Sequence, residues 1–361
     1  MSFAKQNPLF NKRAVHFGQS PRGLARWRGK TAMVTGVAGG IGEAIAYRLL
    51  KAGINVIGLD LNVAEQTPAA KEHNKTKGPD GMFMPLECDI TIDEHIRKMF
   101  DVAENWLNGG VQILVNNAGV NDYTRIIDSN SQTFEKLLKV NVLAAANATQ
   151  RTVQMLRDRE EEGHIFNINS ILGLVVPESG LLEEIGVNGL NIYPATKHAL
   201  SAMSTTVRRE VSLANLPIRV TSLHPGLVNT KIAARNEAVN KHLKHVPQLD
   251  PSDVADALMY ALGTSPEVQR STFFIRNNFF GSYNKYPPNF LASSSYLRCF
   301  IVAATTRRPP APDIVALINP TQQRRRRRAG SALYEPRFDT TLSFRHFRGR
   351  VRHTYATSHQ T

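Results

Sequence analysis

Cysteine is scarce in this sequence: 361 residues hold two, Cys88 and Cys299. A disulfide scaffold is therefore excluded, and a reducing compartment is compatible. No run of eighteen apolar residues occurs, so no membrane-spanning helix is expected. Residues 1–30 lack the apolar stretch of a secretory signal. They also lack any acid while holding seven Lys or Arg, and residues 271–361 hold only three acids against 15 basic residues. Between these ends, residues 31–270 carry 22 basic and 27 acidic side chains. The formal net charge of +14 thus belongs to the two ends, around a mildly acidic body. A basic body would have argued for a nucleic-acid-binding fold; a basic fringe argues for tails.

From Lys30 to about Gln269, short apolar runs alternate with segments of helical period, the pattern of βαβ units and a parallel sheet. The spacing predicts strands at Thr31–Thr35, Asn55–Leu59, Gly81–Leu86, Val111–Val115, His164–Ile168 and Ile218–Leu223, with Ser271–Arg276 as a final edge strand. The buried runs do not alternate, as expected of strands covered on both faces. Helices are predicted over Gly42–Ala52, Thr91–Leu107, Gln132–Leu156, Pro194–Ala214 and Pro251–Leu262. After about residue 276 apolar periodicity weakens, while the last 91 residues hold 14 of the 27 aromatic residues and the run Arg324–Arg328. That composition predicts a basic, disordered tail over 277–361, mirrored by a basic extension over 1–26.

Directly after the first strand comes Thr35-Gly36-Val37-Ala38-Gly39-Gly40-Ile41-Gly42, which opens a helix. Gly36, Gly40 and Gly42 permit a tight turn and close approach of backbone to a pyrophosphate, and the helix N-terminus offers that anion free N–H groups. A plain tight turn is the competing reading. The second strand ends at Asp60, where a carboxylate can accept hydrogen bonds from a ribose diol and would repel a 2′-phosphate. No Arg or Lys in the Gly-rich loop or just after Asp60 offsets that charge, so NAD is expected over NADP. Asp89 and Ile90 follow the third strand, suited to meet an adenine ring, although Asp89 could equally cap the helix beginning near Thr91. Asn117, Ala118 and Gly119 follow the fourth strand, where small residues let a cofactor pass close to backbone.

Tyr193 and Lys197 stand four apart, on one face of a helix. A phenol titrating near pH 10 is a poor base at neutral pH, and a neighbouring ammonium with an oxidised nicotinamide would favour the phenolate. Ser170 ends the fifth strand, a position suited to hydrogen-bond a substrate carbonyl or hydroxyl. Asn141 is an amide inside an apolar helical stretch; a water held between it and the lysine side would satisfy it. Each of these residues alone has a bland reading, as a solvated helix face or a local backbone hydrogen-bonder. Their conjunction, in the right order along the right elements, is what points to chemistry.

Taken together, the Thr-Gly-x-x-x-Gly-x-Gly turn at 35–42, Asn-Asn-Ala-Gly at 116–119, Tyr193-x-x-x-Lys197, Asn141, Ser170 and Pro225-Gly226 resemble the short-chain dehydrogenase/reductase family, in its short single-domain branch. The wording Asn-Ile-Asn-Ser and Tyr-Pro-Ala-Thr-Lys-His-Ala is similar to its farnesol dehydrogenase and dehydrogenase/reductase member eleven group. The resemblance covers about residues 27–276. It implies a Rossmann-type, doubly wound α/β domain that moves a hydride between a nicotinamide and a secondary alcohol or carbonyl of a small to medium lipophilic molecule. By position, Tyr193 is then the general acid/base, Lys197 lowers its pKa and holds the nicotinamide ribose, Ser170 orients the substrate oxygen and Asn141 anchors a relay water. Val228 and Thr230 would meet the carboxamide end. Homo-oligomers and a cytoplasmic location are expected, and no metal.

Two features depart from the family pattern. Ser170 and Tyr193 are separated by 22 residues, more than usual, and the surplus at about 177–189 includes Glu178, Glu183 and Glu184. It reads as a substrate wall or lid, or equally as a surface bulge. The tail after residue 276 has no counterpart, and its Arg-rich run with interleaved aromatics could bind nucleic acid or an anionic membrane. The basic N-terminus leaves organelle import open beside a plain extension. A non-catalytic, dinucleotide-sensing protein on the same scaffold is the remaining alternative.

Overall fold

Eight strands order as β3-β2-β1-β4-β5-β6-β7-β8, every neighbouring pair parallel. They are β1 (Thr31–Thr35), β2 (Asn55–Asp60), β3 (Phe83–Glu87), β4 (Ile113–Asn116), β5 (Gly163–Ile168), β6 (Ile218–Pro225), β7 (Thr272–Asn277) and β8 (Phe300–Ala304). This computed structural model describes residues 21–63, 80–107, 109–177, 187–230, 248–269, 271–277 and 300–304. All of them lie in the first of two compact units, Met1–Arg307; the Arg324–Arg328 run falls in the second, outside the described residues.

The helices are α1 (Pro21–Ala25), α2 (Gly40–Lys51), α3 (Asp93–Asn105), α4 (Ser131–Leu138), α5 (Ala144–Asp158), α6 (Tyr193–Leu213) and α7 (Pro251–Leu262). They cover the sheet on both faces, which explains the unbroken apolar runs: β1 is buried at all five positions. On one face Ala32, Val34, Val115, Phe166 and Phe273 pack with Leu49 of α2 and Leu258 of α7. On the other, Met33, Ile57, Leu114 and Val220 pack with Phe100 of α3, Met155 of α5 and Val211 of α6. Strand order reverses between β1 and β4, so the loops after these two strands diverge and leave the crevice where ligands of such sheets bind. The doubly wound, Rossmann-type architecture expected from the sequence is the one observed.

Three boundaries differ from the sequence reading. The single helix expected over Gln132–Leu156 is broken into α4 and α5 by a π-turn at Lys139–Leu143, centred on the buried Asn141. Apolar period alone does not show such a turn, because one extra residue barely shifts the face presented. β7 is not the edge: β8 pairs with it in parallel, within the segment expected to be tail. A five-residue run without a periodic partner segment gives too little signal to stand out. The fold also begins before residue 27, since Leu24 packs on the core and Trp27 is fully buried with its Nε1 donating to the Leu262 carbonyl at 3.1 Å.

Trp27 thus ties the N-terminal segment to the end of α7. Trp27→Ala should lower the unfolding free energy by about 3–5 kcal/mol in urea denaturation, as for large buried aromatics. A loss below about 1 kcal/mol would detach this segment from the folding unit.

Candidate active site

β1 runs straight into Gly36, whose φ of +71° lies in the left-handed region, and a Cβ there would stand 2.9 Å from the Ala118 Cα. Gly42, in the first turn of α2, is required by proximity instead: its Cβ would lie 2.1 Å from the Gly36 carbonyl oxygen. The loop is therefore folded back on the helix it opens. The N-cap of α2, Gly39, supplies no side-chain hydrogen bond, and nothing lies within 4 Å of where its Cβ would be. By contrast α4 is capped by Asn130 and α7 by Asp250 with a capping box. No side chain therefore caps the leading amides of α2, and there is open space at Gly39, an arrangement suited to receive an anion. Ile41 is half-buried and packs on the core, and Thr230 brings its methyl within 3.0 Å of the Cβ position of Gly40.

Thr35 locks the two diverging loops together. Its hydroxyl oxygen accepts from the backbone N–H groups of Asn117 and Ala118, each at 3.0 Å. The Asn117 amide returns two bonds, to the carbonyls of Thr35 at 2.9 Å and Gly36 at 3.0 Å. Asn117 thus builds the crevice rather than merely lining it. At the end of β2, Asp60 accepts from Ala38 N–H in the Gly-rich loop at 2.9 Å and from Leu61 N–H at 2.8 Å. Its carboxylate stands beside the loop, as expected, and also stabilises it.

Asp89 uses one carboxylate oxygen locally, accepting from both the backbone N–H and hydroxyl of Thr91, at 2.9 and 2.7 Å, one turn before α3, whose N-cap is Ile92. The Thr91 hydroxyl is the main reason its carboxyl is held below the usual range. Ile90 packs against the core beside it. Val228 is buried and bridges Leu249, which carries the loop after β6 toward the crevice.

Four elements converge on Tyr193. Tyr193 starts α6, and Lys197, one turn on, is buried with its Nζ 5.6 Å from the Tyr193 ring centre. Lys197 donates to the Ile168 carbonyl at the end of β5, at 3.0 Å. Ser170, two residues beyond, stands close enough for its side chain to pull the pKa of the phenol down. Gly119 brings the loop after β4 in from the other side: a Cβ there would lie 3.4 Å from Asn141 Oδ1 and 3.8 Å from Lys197 Nζ. The Asn141 amide finds its partners within the protein, accepting from Val120 N–H at 2.9 Å and donating to the Val120 carbonyl at 2.8 Å and Thr196 Oγ1 at 3.1 Å. It clamps the Asn-Asn-Ala-Gly loop onto α6, so its side chain needs no water to be satisfied.

This geometry agrees with comparison to known proteins. Residues 30–241 match the family described as short chain dehydrogenase. The chain belongs to the short-chain dehydrogenase/reductase family and is an oxidoreductase of that family. It is 35% identical over 254 residues to mouse dehydrogenase/reductase SDR family member 11, covering 68% of this chain and 94% of that one. To farnesol dehydrogenase of Aedes aegypti it is 37% identical over 250 residues, covering 68% and 95%. A dehydrogenase/reductase from Sinorhizobium meliloti superposes with a TM-score of 0.58 at 26% identity, covering 69% of this chain and 94% of that one. A family member from Burkholderia phymatum, solved with NAD, shares the fold at a TM-score of 0.59 and 22% identity, covering 69% and 89%.

In this oxidoreductase the motif residues are held by others that no motif marks. Asn191 donates to Asp122, Thr124 and Ser129 at 3.2, 2.8 and 2.8 Å, anchoring the loop before α4 to the residue pair ahead of Tyr193. A single asparagine among many gives no sequence signal for this. Of the surplus segment, residues 178–186, with all three glutamates, lie outside the described residues. Its far end is seated: Val187 is buried, and a Cβ on Gly189 would meet the Thr124 carbonyl at 2.8 Å. Among the described residues there is no cluster of three metal-ligating side chains, and no helix long and apolar enough to cross a membrane.

Burial dominates the electrostatics. It pushes the Tyr193 phenol well up, against the Ser170 hydrogen bond that pulls it down. That direction is opposite to the lowering expected from Lys197 alone, since desolvating a phenolate outweighs one hydrogen bond. Burial pushes the Lys197 amine down to about 8. A folded value below the unfolded 10.5 means that holding the ammonium costs stability below about pH 8, and that the cost fades as pH rises from there toward 10.5. Lys197→Met should therefore stabilise the protein at pH 7 by about 1–3 kcal/mol, with the gap closing by about pH 10. Denaturation at both pH values checks this; a destabilised variant, or a gap indifferent to pH, would overturn it.

Proposed function

We propose that this protein transfers a hydride reversibly between NAD and a secondary alcohol or carbonyl of a small to medium lipophilic molecule. The observation that carries the reading is the convergence of Tyr193, Ser170 and Lys197 at the carboxyl edge of the sheet, beside the crevice between β1 and β4. The crevice fits a dinucleotide: open space at Gly39, uncapped amides at the start of α2, and Asp60 poised at the loop's flank. Gly36, Gly40, Ile41 and Gly42 would hold the pyrophosphate, Asp60 the adenosine ribose, and Asp89, Ile90, Asn117, Ala118 and Gly119 the adenosine side. Val228 and Thr230 would meet the carboxamide. NAD bound there would accept the hydride from the alcohol carbon, and its reduced form would return it to the carbonyl.

Tyr193 takes the hydroxyl proton in oxidation and gives it back in reduction. Its phenol, pushed up by burial, is held in the protonated form that the acid direction requires. For the base direction it needs positive charge nearby, which Lys197 supplies once protonated and an oxidised nicotinamide reinforces. Ser170 hydrogen-bonds the same substrate oxygen and keeps it within reach of the phenol. Lys197 also offers donors to the nicotinamide ribose. Asn141 acts here by fixing Val120 and Thr196 on either side, and its place beside Lys197 leaves the relay water as part of the same proposal.

The carboxylate of Asp60 disfavours a 2′-phosphate, and neither the Gly-rich loop nor Leu61-Asn62 carries a basic residue. That supports NAD over NADP. A relative named farnesol dehydrogenase supports a terpenoid-like or otherwise lipophilic alcohol as substrate. Homo-oligomerisation and a cytoplasmic location belong to this reading on the family resemblance alone.

Tyr193→Phe should lower turnover by about 10²–10⁴-fold while leaving the dinucleotide Kd within about twofold. Turnover at the wild-type level would sink the mechanism. Asp60→Ala should weaken NAD binding and shift the NAD-to-NADP affinity ratio by about tenfold or more, roughly 1.4 kcal/mol. An unmoved ratio would remove Asp60 from the cofactor site.

A further inference from the structure

The main chain of Ser170 is held by a closed ring of buried hydrogen bonds that none of the motifs above includes. The Ser170 carbonyl lies 2.9 Å from Nδ1 of His224. A carbonyl can only accept, so Nδ1 carries the proton and Nε2 is left as an acceptor. Nε2 lies 2.9 Å from Ser222 Oγ, which therefore donates to it. Asn169 Nδ2 donates to Ser222 Oγ at 3.4 Å, and Asn169 Oδ1 accepts from the Ser170 N–H at 2.9 Å. The ring thus leaves Ser170 by its carbonyl and returns by its amide, with the donor and acceptor assignments that a neutral imidazole requires. Asn169, Ser222 and His224 are 4%, 2% and 1% exposed.

The ring also reaches α6. Asn169 Nδ2 donates to Ser201 Oγ at 2.9 Å, and Ser201, one turn after Lys197, hydrogen-bonds the carbonyls of Gly173 at 2.8 Å and Lys197 at 3.1 Å. A histidine kept only to fill space need not look like this. His164, equally buried, pairs one ring nitrogen with Thr221 at 2.9 Å and has no partner for the other. His224 uses both nitrogens, and one of them on the residue that carries the reactive hydroxyl.

We infer that His224 is a positioning residue for the reaction. Through Ser222 and Asn169 it fixes both main-chain groups of Ser170, and through Ser201 it sets their register against α6. The Ser170 hydroxyl and the Tyr193 phenol then meet one substrate oxygen without rearrangement. The inference rests on the reading of the site given under Proposed function, and its test separates the two.

The test compares His224→Leu, His224→Asn, Ser222→Ala and Tyr193→Phe with the parent enzyme, measuring kcat on a turned-over alcohol and the NAD Kd by protein fluorescence. His224→Leu deletes both ring contacts and should lower kcat by about 10- to 100-fold, with Kd within about twofold. An asparagine amide can replace the Nδ1 donor, so His224→Asn should recover about tenfold of that loss. If His224→Leu does not fold, Ser222→Ala, which deletes only the far hydroxyl, should still lower kcat by about threefold or more at unchanged Kd. A folded His224→Leu with parental kcat would overturn the inference, as would an Asn variant no better than Leu or, where Leu fails to fold, a Ser222→Ala variant with parental kcat. Tyr193→Phe with parental turnover would instead defeat the reading of the site itself.

Discussion

In a sheet whose strands all run the same way, every strand delivers its last residue to one edge, and the chemistry of this protein depends on that constraint. Thr35 ends β1, Asp60 ends β2 and Asn116 ends β4. Ile168 ends β5 two residues before Ser170, and His224 and Pro225 close β6. The ends of different strands are far apart in sequence, yet the parallel pairing brings them into one row. The helices add only their starting turns: α2 offers uncapped amides, and α6 offers Tyr193 and Lys197. The reversal of strand order between β1 and β4 then decides where along that edge a long ligand can lie.

Collecting polar groups on a dry edge is expensive, and Lys197 shows how the expense is met. Burial of its ammonium explains a pKa well below that of a solvated lysine, and the strand-end carbonyl of Ile168 offsets part of that cost by accepting its hydrogen bond. The same burial that strains Lys197 keeps Tyr193 protonated, so the two groups are poised in opposite senses by a single cause. Charge arriving with an oxidised cofactor would act on both in that low-dielectric setting, where it counts for more than in water. Stability and catalysis pull against each other at one residue.

Much of this was legible in the sequence because it is carried by period and by motif. Unbroken apolar runs marked the strands to within about two residues, and Gly36, Gly42, Tyr193 and Lys197 announced themselves by spacing. What was not legible is carried by single polar residues whose partners are remote in sequence. Asn141 illustrates the difference: its place in an apolar stretch marked it as unusual, but not that it would break the helix with a π-turn and grip Val120. Asp89 is a second case: its spacing after β3 marked it, but not that one of its carboxylate oxygens would be taken up by Thr91. β8 escaped because five residues without a helical partner look like any apolar patch.

The distribution of unmet hydrogen bonds explains why the holding residues matter. Among the described residues, the buried side-chain atoms with neither a hydrogen bond nor an ion pair belong to Arg26, Thr31, Arg151, His164 and Arg219. Thr31, His164 and Arg219 stand at the starts of β1, β5 and β6, the edge opposite the chemistry. At the reactive edge, Thr35, Asn117, Asn141, Asn169, Ser222 and His224 all have partners. A satisfied polar network is rigid, because any displacement leaves a buried donor or acceptor bare at a cost of about 1–3 kcal/mol. Loose polar burial is tolerable where it only costs stability. Where a hydroxyl and a phenol are to meet one oxygen atom, as proposed for Ser170 and Tyr193, the network has to be complete, and these residues are all paired on that edge of the sheet.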